Sequence, residues 1–227
     1  MNTWSVLYDL CTGFGVTLKL FALTLVISIP LGLLFAVLSM AKFKPVSYLM
    51  KAVIWVVRGT PLLLQCVVVT FIPSVLLKIP NKDFAAMLHL NTMADLQFFF
   101  VLIAFALNYA CYFAVIYEGG IKAIPKGQYE AGQVLGMTKT QIFFRVVLMQ
   151  MVRRIVSPMS NEVITLVKDT SLSRIIGIYE IIWAGESFIK KGLIWPLFYT
   201  GAFYLIFSGG LTILFNKLEK KLDYFRG

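Results

Sequence analysis

The chain has 227 residues, 59% of them hydrophobic and only 14% charged, with a mean hydropathy of +0.82. That composition excludes an ordinary soluble domain of this length. A formal net charge of +10 would suit a nucleic-acid binder, but no basic-aromatic strip or nucleic-acid motif accompanies it, so no nucleic acid is expected as a partner. A single histidine, His89, reads as a loop residue. Cys11, Cys66 and Cys111 stand alone in or beside apolar stretches, so neither a metal centre nor a disulfide framework is expected.

Stretches long enough to cross a bilayer, about 20 residues each, run at roughly 14–40, 52–77, 97–117, 152–167 and 195–215. The expected fold is an all-α integral membrane protein with five transmembrane helices in one domain over 1–227. The first positive charge is Lys19, so the beginning of the chain lacks the basic segment of a cleaved leader.

The second span is broken. Residues 51–57 are apolar and helix-like, and Arg58-Gly59-Thr60-Pro61 intervenes before Leu62-Leu63-Leu64. Gly59 suits a stop, Thr60 an N-cap, and Pro61 the first turn of a new helix. A plain proline kink is the simpler alternative, but Arg58 at that depth needs a partner or an aqueous edge.

In the third span Asn108 and Tyr112 are four apart. In the fourth, Glu162 lies one turn from Thr165, with Asn161 alongside. An ionisable group within a span is by default a functional-site residue, so Glu162, Asn161, Thr165, Asn108 and Tyr112 are candidates for substrate contact. The structural alternative pairs Glu162 with Arg58 or Lys168. After this span comes Lys168-Asp169-Thr170-Ser171-Leu172. Asp169, Thr170 and Ser171 are N-cap types, and 172–182 has helical spacing, which predicts a short amphipathic helix on the outer part of the membrane.

Between the third and fourth spans lies a polar, basic segment at about 122–150. A helix start follows Pro125 and another is available at Thr138, with Gly136 between them to supply a positive φ or a close approach. Glu130 near the start of its helix favours the dipole and can pair with a partner's cation. The apolar face of Ile142, Phe143, Val146 and Val147 is too greasy for a loop meeting only water. The segment therefore reads as a helix-turn-helix knob that docks on another protein.

Charge distribution orients the chain. With the N-terminus outside, thirteen basic residues fall on the cytoplasmic side: Lys42, Lys44, Lys51, Lys122, Lys126, Lys139, Arg145, Arg153, Arg154, Lys217, Lys220, Lys221 and Arg226. Five fall outside: Lys78, Lys82, Arg174, Lys190 and Lys191. This is the positive-inside bias, and it leaves the C-terminus cytoplasmic.

Glu130-Ala131-Gly132, Gly136 six residues after the Glu, and Val146 to Met149 resemble the coupling loop of ABC importer permeases, which reads Glu-Ala-Ala, Gly, then Ile-x-Leu-Pro. With 15–20, Arg58-Gly59-Thr60-Pro61, 120–128, Asn161 through Lys168-Asp169-Thr170-Ser171, and Leu218-Glu219, the ordered set resembles the polar amino acid permeases of type I ABC importers. The resemblance implies a permease subunit of an ATP-driven amino acid uptake system in a prokaryotic inner membrane. It also implies a second permease subunit, two ABC ATPase subunits that hold ATP and Mg, and an extracytoplasmic substrate-binding protein. Glu130, Ala131, Gly132 and Gly136 would couple to the ATPase, with no chemistry and no cofactor in this chain. A homodimer is the simpler pairing, and a polar or basic amino acid the favoured substrate. Gly132 stands for the usual Ala and Met149 for the Pro, which puts a kink before the fourth span in question. Val115 stands for a usual Glu and Glu118 for a usual Arg in the third span. The alternative, an ion-coupled secondary amino acid transporter, would be expected to show internal repeats, and none is visible. A membrane-embedded enzyme lacks the necessary constellation of side chains.

Overall fold

The structure, a computed structural model, describes residues 3–223; Arg226 of the expected basic tail lies outside them. Helix α1 (Thr3–Ser39) is followed by α2 (Lys44–Arg58) and α3 (Leu62–Val75), by the short α4 (Asn81–Met87), and by α5 (Met93–Lys122). The knob comprises α6 (Lys126–Val134) and α7 (Lys139–Ile142), which runs through a π turn (Phe143–Val147) into α8 (Leu148–Asp169). A 3-10 segment (Thr170–Ile176), α9 (Ile181–Ile189) and α10 (Trp195–Asp223) complete the chain. Helices α1, α5 and α10 are long and apolar enough to cross a membrane, and α2 with α3 qualifies as one further span bent by 109°. Helix α8 is long enough, at 22 residues, but carries Arg153, Arg154, Glu162 and Lys168 and does not qualify by composition.

Helices α1 and α5 form the principal seam. One face of α1 is built from small and hydroxylated residues, including Gly13, Thr17, Thr24, Ser28, Gly32 and Ala36, all buried. A Cβ at Gly32 would lie 2.7 Å from that of Phe113 and 2.9 Å from the Ala110 carbonyl, so only glycine permits this backbone approach. Close packing of this kind, rather than hydrophobic exclusion, holds helices together in lipid. Gly120 does the same for α8, since a Cβ there would come within 2.3 Å of Ile155.

The expected amphipathic helix over 172–182 is not formed. The capping-type residues finish the preceding helix instead of starting a new one. The Thr170 hydroxyl donates to the Val167 carbonyl at 2.6 Å, Ser171 donates to that of Lys168 at 2.7 Å, and the Asp169 carboxylate turns to the Tyr109 hydroxyl at 2.7 Å. The chain therefore runs on as 3-10 helix until Gly177, at φ +92°, ends it. The next helix, α9, is capped by Glu180, whose carboxylate accepts from the N–H groups of Ile182 and Trp183 at 2.9 and 2.8 Å. Helix α9 is not a surface element: Ile181, Ala184 and Phe188 are fully buried with Val6 and Leu10 of α1. Glu180 itself is 1% exposed. Burial pushes its carboxyl above the usual carboxylate range, and the two N–H donors, with the Tyr204 hydroxyl, pull it back.

Thr60 and Pro61 also differ from expectation. The Thr60 hydroxyl donates backwards to the carbonyls of Val56 and Val57, at 3.0 and 3.3 Å, and so closes α2. Pro61, extended at φ −62° and ψ 135°, takes the N-cap position of α3. His89 is a turn residue, in the left-handed region at φ 55°.

Removing the cap tests this arrangement. Glu180→Ala is expected to cost about 2 kcal/mol, the upper end for a lost N-cap because the two freed N–H groups lie in a buried region, read as a lower thermal midpoint in detergent. Glu180→Gln keeps an acceptor oxygen and is expected to lose less.

Candidate functional site

Two sites are built on opposite parts of α8. The first is a polar cluster where the α2–α3 break meets α5 and α8. Breaking a helix at membrane depth frees carbonyls that need donors, and Gln65 supplies them. Its amide nitrogen donates to the carbonyls of Val57 at 2.7 Å and Thr60 at 3.1 Å, and to the Thr60 hydroxyl at 2.9 Å. Its amide oxygen accepts from Asn108 at 3.0 Å. Gln65 thus ties the bend to α5.

With the bend fixed, the Arg58 guanidinium lies over the Tyr112 ring, 5.0 Å from its centroid, a cation–π contact that offsets part of the cost of a cation at this depth. Glu162 of α8 is half-buried and within electrostatic range of Arg58 and Asp169. Among the described residues it forms no ion pair within 4.0 Å. Asn161, Thr165 and Lys168 are exposed on α8, while Thr170 is fully buried. Asn108, 4% exposed, holds Gln65.

Of the residues predicted from sequence, the structure therefore brings Arg58, Tyr112 and Glu162 together. It sets Asn161 and Thr165 on an exposed stripe of α8, while Asn108 is buried and holds Gln65 at the bend. Gln65 and Tyr109 were missed. A lone amide inside an apolar run is itself the signal that finds Gln65.

The second site is the knob. Pro125 takes the N-cap position of α6, and Thr138 with Gln141 forms a capping box for α7. Gly136, at φ +70°, makes the turn between them. Glu130 and Ala131 are exposed and Gly132 is buried. The expected apolar docking face is largely internal: Ile142 is 2% exposed and Val147 not at all, packed with Ile124 against Tyr129, Met137 and Val146. Phe143 of the expected face is exposed, and Val134 and Leu135, 87% and 77% exposed, form a further apolar patch at the tip. Met149 lies inside α8, just after the π turn, and helical structure runs through both. In α5, Glu118 accepts a hydrogen bond from Ser39 at 2.8 Å and pairs with Lys122. The carboxylate in the Arg position thus fastens the end of α1.

Residues 28–224 match the family described as "Binding-protein-dependent transport system inner membrane component". The chain belongs to that family. It is 30% identical to the arginine ABC transporter permease protein ArtQ of Escherichia coli (strain K12), over 95% of this chain and 94% of that protein. It is 32% identical to the L-cystine transport system permease protein TcyB of Bacillus subtilis (strain 168), over 93% and 85% respectively. The fold superimposes with a TM-score of 0.76 and 25% identity on a chain from the crystal structure of an amino acid ABC transporter with histidines, covering 97% of this chain and 99% of that one. The permease is thus a transport subunit of the type I importer fold, and ATP hydrolysis in such systems belongs to a separate subunit.

Gly136 offers a direct test of the knob. Nothing lies within 4 Å of a Cβ built there, so Gly136→Val acts through the backbone alone, at about 1–2 kcal/mol for a left-handed residue. Membrane insertion is expected to persist while ATPase subunits bind less tightly, by roughly tenfold on that scale, in co-purification at graded concentration. Unchanged binding and uptake would remove Gly136 from the coupling set.

Proposed function

We propose that the permease forms the translocation path of an ATP-driven importer for a polar or basic amino acid, with Glu162 as a substrate contact. The observation that carries this reading is the exposed polar stripe of Asn161, Thr165 and Lys168 on α8, beside a half-buried, unpaired Glu162. Lipid cannot face such a stripe, so it borders water and a second wall. A second permease subunit supplies that wall, and the two copies enclose a path that neither lines alone. The substrate's α-ammonium, or a cationic side chain, fills the place of Glu162's missing partner. Arg58, held over Tyr112, suits its carboxylate. The names of ArtQ and TcyB support an amino acid as cargo.

In this reading the chain crosses a prokaryotic inner membrane five times, with α8 as one crossing, the N-terminus outside and the C-terminus in the cytoplasm. Glu130, Ala131, Gly132 and Gly136 belong to the surface met by two ATPase subunits, which hold ATP and Mg, and an extracytoplasmic binding protein delivers the substrate. Two identical copies are the simplest twofold pair. The chain also matches ArtM of the organism that supplies ArtQ, which names a pair of paralogues as the other arrangement. Native mass spectrometry of the purified complex separates one permease mass from two.

Glu162→Gln tests the site. In proteoliposomes holding the complete complex, the variant is expected to raise the KM for L-arginine by about tenfold or more, the worth of one charge-assisted hydrogen bond. Unaltered affinity and selectivity would make Glu162 a structural residue.

A further inference from the structure

We infer that the π turn at Phe143–Val147 sets the rotational phase between the knob and α8, and that Ile142 and Gly132 are positioning residues for coupling. This rests on the knob being the ATPase-docking element. The turn is defined by the N–H of Leu148 donating to the carbonyl of Phe143, a ring one residue longer than that of an α-helix.

Its necessity follows from spacing. Ile142 and Val147 are five residues apart, and in an uninterrupted α-helix they would point about 140° apart. Both are nonetheless buried in the same knob core with Ile124. A π turn stacks residues five apart, so the extra residue is what lets both side chains face one core. On the membrane side, Val147, Met151 and Ile155 repeat at the spacing of an α-helix and are all buried. Their phase is locked by Gly120 of α5, where a Cβ would meet Ile155 at 2.3 Å and Met151 at 3.3 Å. On the knob side, the phase is locked by Gly132, where a Cβ would meet Cγ1 of Ile142 at 2.6 Å and Cδ1 at 2.9 Å.

Two rotational locks therefore flank one wide turn. The glycine at 132, where the coupling motif usually has alanine, belongs to the same device: Ile142, turned inward by the extra residue, occupies the space of the alanine methyl. Beyond the turn, α8 is one continuous helix to Asp169 and carries Glu162. Pro158 lies within α8 between the turn and Glu162, so a displacement of the knob enters the first turns of α8 in a phase that Ile142 and Gly132 set.

The test uses the complete complex in proteoliposomes with L-arginine as the probe and reads substrate imported per ATP hydrolysed. Damage that only weakens docking lowers hydrolysis and uptake together and leaves that ratio unchanged. Gly132→Ala is expected to lower the ratio by about tenfold, the scale of a methyl forced into a packed core, and adding Ile142→Ala, which removes the Cγ1 and Cδ1 atoms that meet the new methyl, is expected to restore it. Deleting Phe144 collapses the turn to α-helix and turns the knob by about 100°. This is read as a changed distance between spin labels at Val134 and Lys168 after Cys11, Cys66 and Cys111 are replaced by serine. A normal ratio in Gly132→Ala, no rescue by Ile142→Ala, or an unchanged label distance would overturn the inference; if the deletion variant does not insert, the Gly132–Ile142 pair decides. Leu135→Asp at the knob tip separates the two readings. If it leaves ATPase binding and uptake normal, the docking assignment falls. If it abolishes both while the Gly132–Ile142 series has no effect, only the phase assignment falls.

Discussion

A helix broken inside a membrane must find partners for the backbone groups that the break sets free, and the amide of Gln65 meets that demand at the α2–α3 bend. It donates to two carbonyls and a hydroxyl at the break and accepts from Asn108 of α5. Because these bonds form where water is scarce, leaving any one unmade costs more than it would at a surface. These bonds bridge the 109° bend between α2 and α3. The corner brings Arg58 over Tyr112 and into range of Glu162.

The rest of the domain supplies a rigid frame for that corner through close backbone contact. Glycine at 32 on α1 and at 120 on α5 brings α1, α5 and α8 nearer than larger residues would allow. Gly13 does the same for α9, where a Cβ would lie 2.9 Å from Cα of Ile181. Glu180 begins α9 from inside the protein and spends its carboxylate on backbone N–H groups, so a buried charge serves as a structural cap.

Two regions of unlike character are joined by α8. At one end a polar cluster holds Glu162, which has no ion-pair partner among the described residues, a costly arrangement in a membrane. At the other end a small knob has its own apolar core and exposes Val134 and Leu135 at its tip. Helix α8 runs between them, with Pro158 inside it. That division suits a subunit that does no chemistry and moves in response to one that does.

Much of this was legible in the sequence because it depends on local physics. Apolar length located α1, α5 and α10, and the Arg58-Gly59-Thr60-Pro61 run located the break. Pro125, Gly136 and Thr138 marked the ends of the knob helices, because caps and positive-φ turns depend on residues close by in the chain. What sequence spacing misassigned was decided by distant partners. Asp169, Thr170 and Ser171 have the chemistry of helix starts, but Tyr109 and the carbonyls behind them claim their side chains, so the new helix begins at Glu180 instead. Ile142 and Val147 read as an outward apolar face, yet the π turn folds both into the knob, and the exposed tip is Val134 and Leu135. The sequence by itself determined where the long apolar helices lie, where one breaks and where the knob lies, because length, charge and capping act within a few residues. Only the tertiary structure decided which polar groups are spent on the scaffold and which remain open at the site. That outcome depends on contacts such as Gln65 with Asn108 and Tyr109 with Asp169, between residues that no local rule connects.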